Sequence, residues 1–141
     1  MPSPAAPSSS TPPFAHRVRV YWEDTDAGGV VFYANYLKFF ERARTEWLRA
    51  RGVGQQALKD ETGAMFVVTD TRLSYKRPAR LDDELDVTVQ LAEAGRASFV
   101  IEQQAWCRGL LLCEGRIRIG CVDAATLRPR RLPDPVIETL P

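Results

Sequence analysis

Histidine is nearly absent from this chain, His16 being the single example in 141 residues. A serine or cysteine nucleophile activated by imidazole would have to use that ring, and His16 sits in a strand-like run where an ordinary packing position is the simpler reading. No GxSxG, Walker-type or GxGxxG pattern occurs, which removes the usual signatures of serine hydrolases, P-loop enzymes and dinucleotide-binding domains. Ligand clusters of His and Cys are also missing, and Asp24 with Asp26 makes a thin metal site, so neither a metal nor a redox cofactor is expected. The three cysteines, Cys107, Cys113 and Cys121, are odd in number and lack CxxC spacing, which reads as buried thiols in a reducing compartment. Charge of one sign is not in excess either. Nineteen Lys plus Arg against eighteen Asp plus Glu give a net +1, too little to steer the whole molecule toward nucleic acid or an anionic membrane. No run approaches the roughly 20 apolar residues of a membrane span. Residues 1–13 (MPSPAAPSSSTPP) carry no charge and no continuous apolar stretch, which fits a disordered tail rather than a secretion signal and a cytoplasmic location.

What is present is one domain's worth of chain, 14–141, with 45% apolar and 26% charged residues. Such a chain buries only about two-thirds of its unfolded surface, so a partner subunit is a natural way to complete its core. Phe14 to Glu23 alternates as a strand, with His16, Val18, Val20 and Trp22 on one side and Arg17, Arg19 and Tyr21 on the other. From about Asn35, residues Tyr36, Phe40, Ala43, Trp47 and Ala50 recur at helical steps, with Arg42 and Arg44 off that stripe and Gly52 placed to stop the helix. Gly54 to Thr62 suits a short additional helix. Ala64 to Tyr75, Glu84 to Glu93, Ser98 to Arg108 and Leu110 to Val122 read as strands, with hairpin turns at Ala94-Gly95-Arg96 and Arg108-Gly109. Pro129, Pro133 and Pro135 keep the C-terminal end mostly irregular. One strand, one long helix and a run of antiparallel strands predict an α+β domain with the helix packed on one face of the sheet.

Chemistry concentrates between the first strand and the helix. In Asp24-Thr25-Asp26-Ala27-Gly28-Gly29-Val30-Val31-Phe32-Tyr33-Ala34-Asn35-Tyr36, a carboxylate precedes a set of helix N-terminal amides, which are unsatisfied donors able to bind an oxyanion. Gly28 and Gly29 let the backbone approach a ligand closely, and with Val30 they are substrate-binding candidates. A nucleophile or general base beside an oxyanion site is what acyl-transfer hydrolysis requires. The alternative is an aspartate that merely caps a turn.

The run YWEDTDAGGVVFYANYLKFFERARTEWLRARG closely resembles the signature of the 4-hydroxybenzoyl-CoA thioesterase family, in particular its branch associated with the bacterial Tol-Pal envelope system. Gln55-Gln56-Ala57-Leu58, Phe66-Val67-Val68, Pro78-Ala79-Arg80-Leu81-Asp82-Asp83 and Cys121-Val122-Asp123 extend the likeness over nearly everything after the tail. The resemblance implies a hotdog fold, a long helix wrapped by about five antiparallel strands, and acyl-CoA thioester hydrolysis. It implies that Asp26 is the catalytic carboxylate, as nucleophile or as general base, and that the Tyr33 backbone amide polarises the thioester carbonyl. It further implies homodimers joined edge to edge with active sites at the interface, and often homotetramers. Two residues depart from the envelope branch: Trp22 follows Tyr21 where Tyr-Tyr-Glu is usual, and Tyr33 replaces a histidine, as in the aromatic-acyl branch.

Coenzyme A carries a pyrophosphate and a 3′-phosphate, for which Arg72, Lys76, Arg77 and Arg80 are candidate partners, against the alternative of a solvated loop. Acyl carrier protein thioesters are the nearest rival substrate class, and a non-catalytic acyl-binding subunit is the rival from another class.

Overall fold

The computed structural model describes residues 13–140; Pro13 apart, the expected tail lies outside the described residues. Five strands, β1 (Phe14–Arg19), β2 (Ala64–Tyr75), β3 (Glu84–Ala94), β4 (Ser98–Cys107) and β5 (Leu110–Asp123), form one antiparallel sheet in the order β1-β3-β4-β5-β2. Helix α1 (Asn35–Ala50) lies across one face of it, helix α2 (Gln55–Thr62) follows, and a single turn α3 (Asp134–Ile137) closes the chain. This is the α+β hotdog arrangement, and the four sheet strands after the helix fall within one residue of their expected limits.

Period-two alternation sets the two faces of the sheet. Leu85, Val87, Phe99, Ile101, Ile117 and Ile119 point at the helix and are buried, while their neighbours Asp86, Glu102, Arg116 and Arg118 form the other face. That outer face is charged: Arg17 pairs with Asp86 at 3.1 Å and Arg116 with Glu102 at 2.7 Å. Cys107, Cys113 and Cys121 are buried free thiols, and burial pushes the Cys113 thiol up to about 12, which leaves it protonated and inert.

Helix α1 buries Tyr36, Phe39, Phe40, Ala43, Trp47 and Leu48. Its C-terminal turn is closed by Gly52 at φ +85°, a left-handed conformation that glycine adopts without strain. The helical stripe drifts relative to its sequence pattern: Phe39 and Leu48 are core, Ala50 is exposed. Arg44 is a second departure, for its guanidinium turns inward to donate to Gln103 Oε1 at 3.2 Å instead of standing in solvent. Gln103 is fully buried in β4 and donates in turn to the carbonyl of Phe40 at 3.0 Å, which ties sheet to helix by a satisfied polar bond.

The first strand is shorter than its alternation suggested. Pairing with β3 ends at Arg19↔Glu84, and a single 3-10 turn, Trp22–Asp24, rotates Trp22 outward to 84% exposure. The C-terminal segment is mostly irregular as expected, but Leu132 and Val136 are buried and anchor it against the core.

Gly115 marks a close approach of helix and sheet. A Cβ placed there would lie 2.6 Å from Leu73 Cδ2 and 3.0 Å from Phe40 Cε2, inside any real contact distance. Overpacking of this kind typically costs about 1–3 kcal/mol. Gly115→Ala is therefore expected to lower unfolding free energy by about that amount in a urea titration, with Gly109→Ala, which meets no atom within 4 Å but sits at φ +78°, as a strain-only comparison.

Candidate active site

A short buried acid fixes the loop between β1 and α1. Asp24 is 6% exposed, and its Oδ2 accepts the Tyr21 N–H at 2.8 Å. Its carbonyl accepts from the Phe32 N–H at 2.9 Å and from Asn35 Nδ2 at 2.8 Å, so one residue joins the end of the first strand to the first residue of the helix. Asp24 is thus a structural acid.

Between those anchor points the chain folds back on itself. Thr25 bridges Val31, the Asp26 N–H donates to the Val30 carbonyl at 2.8 Å, and the Gly29 N–H donates to the Asp26 carbonyl at 3.0 Å. Gly29 takes φ +83°, which a branched side chain would resist. The outgoing limb is pinned to the segment before β3, through the Val31 N–H to the Ala79 carbonyl at 2.8 Å and a bridge from Val30 to Arg80.

Asp26 stands at the tip of this turn, exposed to solvent. Its Oδ1 accepts the Gly28 N–H at 2.8 Å and the Val30 N–H at 3.4 Å. Oδ2 accepts nothing, and no Lys or Arg pairs with the carboxylate, among the described residues. Two amides orient one oxygen and leave the other with its lone pairs available. The Gly28 and Val30 amides, candidates for contact with a ligand, hold Asp26 instead.

Tyr33 lies in the turn just before α1, two residues ahead of Asn35, and its side chain is 62% exposed. Its N–H and that of Ala34 have no backbone acceptor among the described residues. The Tyr33 carbonyl accepts the Tyr75 hydroxyl at 3.1 Å, and the two rings meet edge to face at 6.2 Å. Val31, Tyr33, Tyr36, Tyr75, Lys76 and Arg77 line an open cleft of about 290 Å³. Tyr36, expected to be core, is buried yet forms the cleft wall; burial raises its phenol to about 12, so it stays neutral. Tyr75 was not singled out from the sequence, where it is one aromatic in an alternating strand.

The basic candidates divide. Arg77 lines the Tyr33 cleft and, with Arg80, Arg108 and Cys107, an adjoining hollow of about 350 Å³. Lys76 also lines the Tyr33 cleft and lies 3.7 Å from Glu114. Arg72 does not join them within one chain: it is on the outer sheet face in a polar groove with Ser74, Gln90 and Arg116. Arg72 lies within β2, whereas Lys76, Arg77 and Arg80 follow its end at Tyr75, and four residues along a strand span about 13 Å, so the sequence cluster is not a spatial one. His16 is a half-buried strand residue opposite Val87.

Residues 20–140 match the thioesterase-like superfamily. The chain is 43% identical over 123 residues to an acyl-CoA thioesterase, YbgC, of Haemophilus influenzae, covering 87% of this chain and 90% of that protein. It is 25% identical to a 1,4-dihydroxy-2-naphthoyl-CoA hydrolase of Nostoc punctiforme, covering 90% of this chain and 86% of that protein. Among solved structures, a hypothetical protein of Aquifex aeolicus superposes with a TM-score of 0.86 at 29% identity, over 92% of this chain and 100% of that one.

Loss of a cap-type carboxylate typically costs about 0.5–2 kcal/mol. Asp24→Ala is expected to destabilise the protein by at least that much in denaturant unfolding, since Asp24 is buried as well as bonded. An unchanged midpoint would show that the loop is held without it.

Proposed function

The chain belongs to the thioesterase-like superfamily and hydrolyses acyl-CoA thioesters, and we propose that it does so through the carboxylate of Asp26 and the backbone N–H of Tyr33. The observation that carries this reading is Asp26 itself: an exposed carboxylate held by two amides on a rigid turn, with one oxygen unengaged among the described residues. The unfilled Tyr33 N–H supports the second half, because an oxyanion donor must be oriented before charge develops and must not be spent on the fold.

In the proposed reaction the thioester carbonyl accepts from the Tyr33 N–H. Either Oδ2 of Asp26 attacks the carbonyl carbon, giving an anhydride that water then opens, or Asp26 takes a proton from water as that water attacks. By both routes the C–S bond breaks, CoA leaves as the thiol, and one water is consumed to give the free acid. Gly28 keeps a side chain away from Asp26, since a Cβ there would lie 3.3 Å from Oδ1, and Val30 holds the turn against Arg80. Lys76, Arg77 and Arg80 are the proposed phosphate contacts of CoA at the mouth of the cleft.

The proposed assembly is a two-fold dimer paired through β2. This strand is the free edge of the sheet beside β5, is 12 residues long, and exposes Val68 at 49% and Tyr75 at 47%. Such an edge is an aggregation template unless it is covered.

Asp26→Asn keeps the size and the accepting oxygen of the side chain but is neither nucleophilic nor basic. A thiol-release assay on acyl-CoA is expected to show kcat falling by about 10²-fold or more, with an unchanged melting curve. A folded Asp26→Asn enzyme with the parental rate removes Asp26 from the chemistry.

The backbone assignment of Tyr33 separates two variants. Tyr33→Phe retains the amide and is expected to keep most activity, whereas Tyr33→Pro deletes the donor and should lose about 10²- to 10³-fold. Binding of a non-hydrolysable CoA thioether by the proline variant checks that the cleft survives. Equal inactivity of both variants would transfer the role to the phenol.

A further inference from the structure

A second hollow, of about 140 Å³, lies between α1 and the other end of β2, walled by Trp47, Leu48, Phe66, Val68, Phe99 and Ile119. Its volume is of the order of the ~150 Å³ cavity that holds one benzene-sized molecule in an engineered protein core. Arg44 and Glu41 also line it. Glu41 is occupied, accepting from the Thr45 hydroxyl at 2.8 Å. Arg44 is not: among the described residues its side chain makes one hydrogen bond, to Gln103, and no ion pair. A half-buried guanidinium with most of its five N–H groups unspent among the described residues, set beside the apolar part of this wall, is a costly feature that a ligand oxygen would relieve.

This hollow is too far from Asp26 of its own chain to serve the same thioester. Phe66 and Tyr75 are nine residues apart on β2, about 30 Å in an extended strand, and Tyr75 is the residue that touches Tyr33. Two-fold antiparallel pairing of β2 with its copy reverses that separation. The Tyr75 end of one protomer then adjoins the Ala64 end of the other, which brings the Asp26 turn of one subunit toward the Arg44 hollow of its partner.

On this basis, and resting on the reading of Asp26 given above, we propose that Arg44 is a specificity residue acting in trans. It donates to an uncharged acceptor oxygen at the far end of a short acyl group whose thioester is cleaved by Asp26 of the other subunit. The nearby Glu41 carboxylate selects against an acyl group ending in a second carboxylate.

The probes are pentanoyl-CoA, 4-oxopentanoyl-CoA and glutaryl-CoA, three short esters that differ in the far end of the chain. The parent enzyme is expected to give 4-oxopentanoyl-CoA the highest kcat/KM of the three. A hydrogen bond to a charged group is worth about 10-fold or more, so Arg44→Met should lower the 4-oxopentanoyl to pentanoyl ratio by at least that factor. Arg44→Lys, which keeps charge and stem, should give an intermediate ratio and carries the test should the methionine variant not fold. Co-expression of Asp26→Asn with the Arg44 variant tests the trans arrangement. Random pairing makes half the dimers mixed, each with one intact site, so 4-oxopentanoyl-CoA turnover should recover to about one quarter of the parent's. An active Asp26→Asn homodimer overturns the catalytic reading itself. With that homodimer inactive, an unchanged ester ratio in the Arg44 variants, or a mixed preparation no faster than the mean of its two parents, overturns the assignment of Arg44 alone.

Discussion

Burial of one face of α1 against the sheet is the constraint from which the rest of this structure follows. Phe39, Phe40, Ala43 and Trp47 on the helix meet Leu85, Phe99, Ile101 and Ile117 on the strands, and burying each large side chain contributes about 1.5–3 kcal/mol. The contact is close enough that β5 carries glycine, at position 115, where Phe40 and Leu73 converge. Gln103 adds direction to what would otherwise be an apolar seam, since its buried amide donates to the Phe40 carbonyl on the helix and to the Thr88 carbonyl on the sheet.

With the helix fixed on the sheet, the connection from β1 has little freedom. It must turn out of the sheet, return past Ala79 and enter the helix at Asn35, and Asp24 does this by binding both the strand end and the helix start. The excess chain becomes the tight turn that carries Asp26. In the proposed mechanism the hydrogen-bonded turn matters directly, because an acid whose orientation is set by the Gly28 and Val30 amides needs no reordering when a carbonyl arrives. The same stretch reaches the helix without a side-chain N-cap, and the amides of Tyr33 and Ala34 just ahead of it have no backbone acceptor among the described residues.

The sheet order leaves β2 at one edge beside β5, and β1 at the other. The two ends of β2 differ in kind. The Tyr75 end meets Tyr33 and the basic turn through Arg77, whereas the Phe66 end borders an apolar hollow with Arg44 in its wall. In the proposed dimer, a strand with unlike ends pairs with its own copy in the antiparallel sense and so sets each kind of end against the other.

Much of this was legible in the residue order. Strand and helix periodicity placed α1 and β2 to β5, Gly52 marked the helix stop, and the carboxylate-glycine run before Asn35 marked the segment where the resemblance puts Asp26. The likeness to known thioesterases followed from that same run. These features are local, set by backbone preferences and by spacing within one segment. Four others were decided only by the tertiary structure. The end of β1 at Arg19, which turns Trp22 out, depends on where β3 stops offering partners. The inward turn of Arg44 depends on Gln103, 59 residues away. Separation of Arg72 from Lys76, Arg77 and Arg80 depends on where β2 ends, at Tyr75, and the role of Tyr75 on its hydroxyl reaching the Tyr33 carbonyl across 42 residues. Spacing in the sequence fixes what a residue can do within its own element; which distant group completes it is settled by how the elements pack.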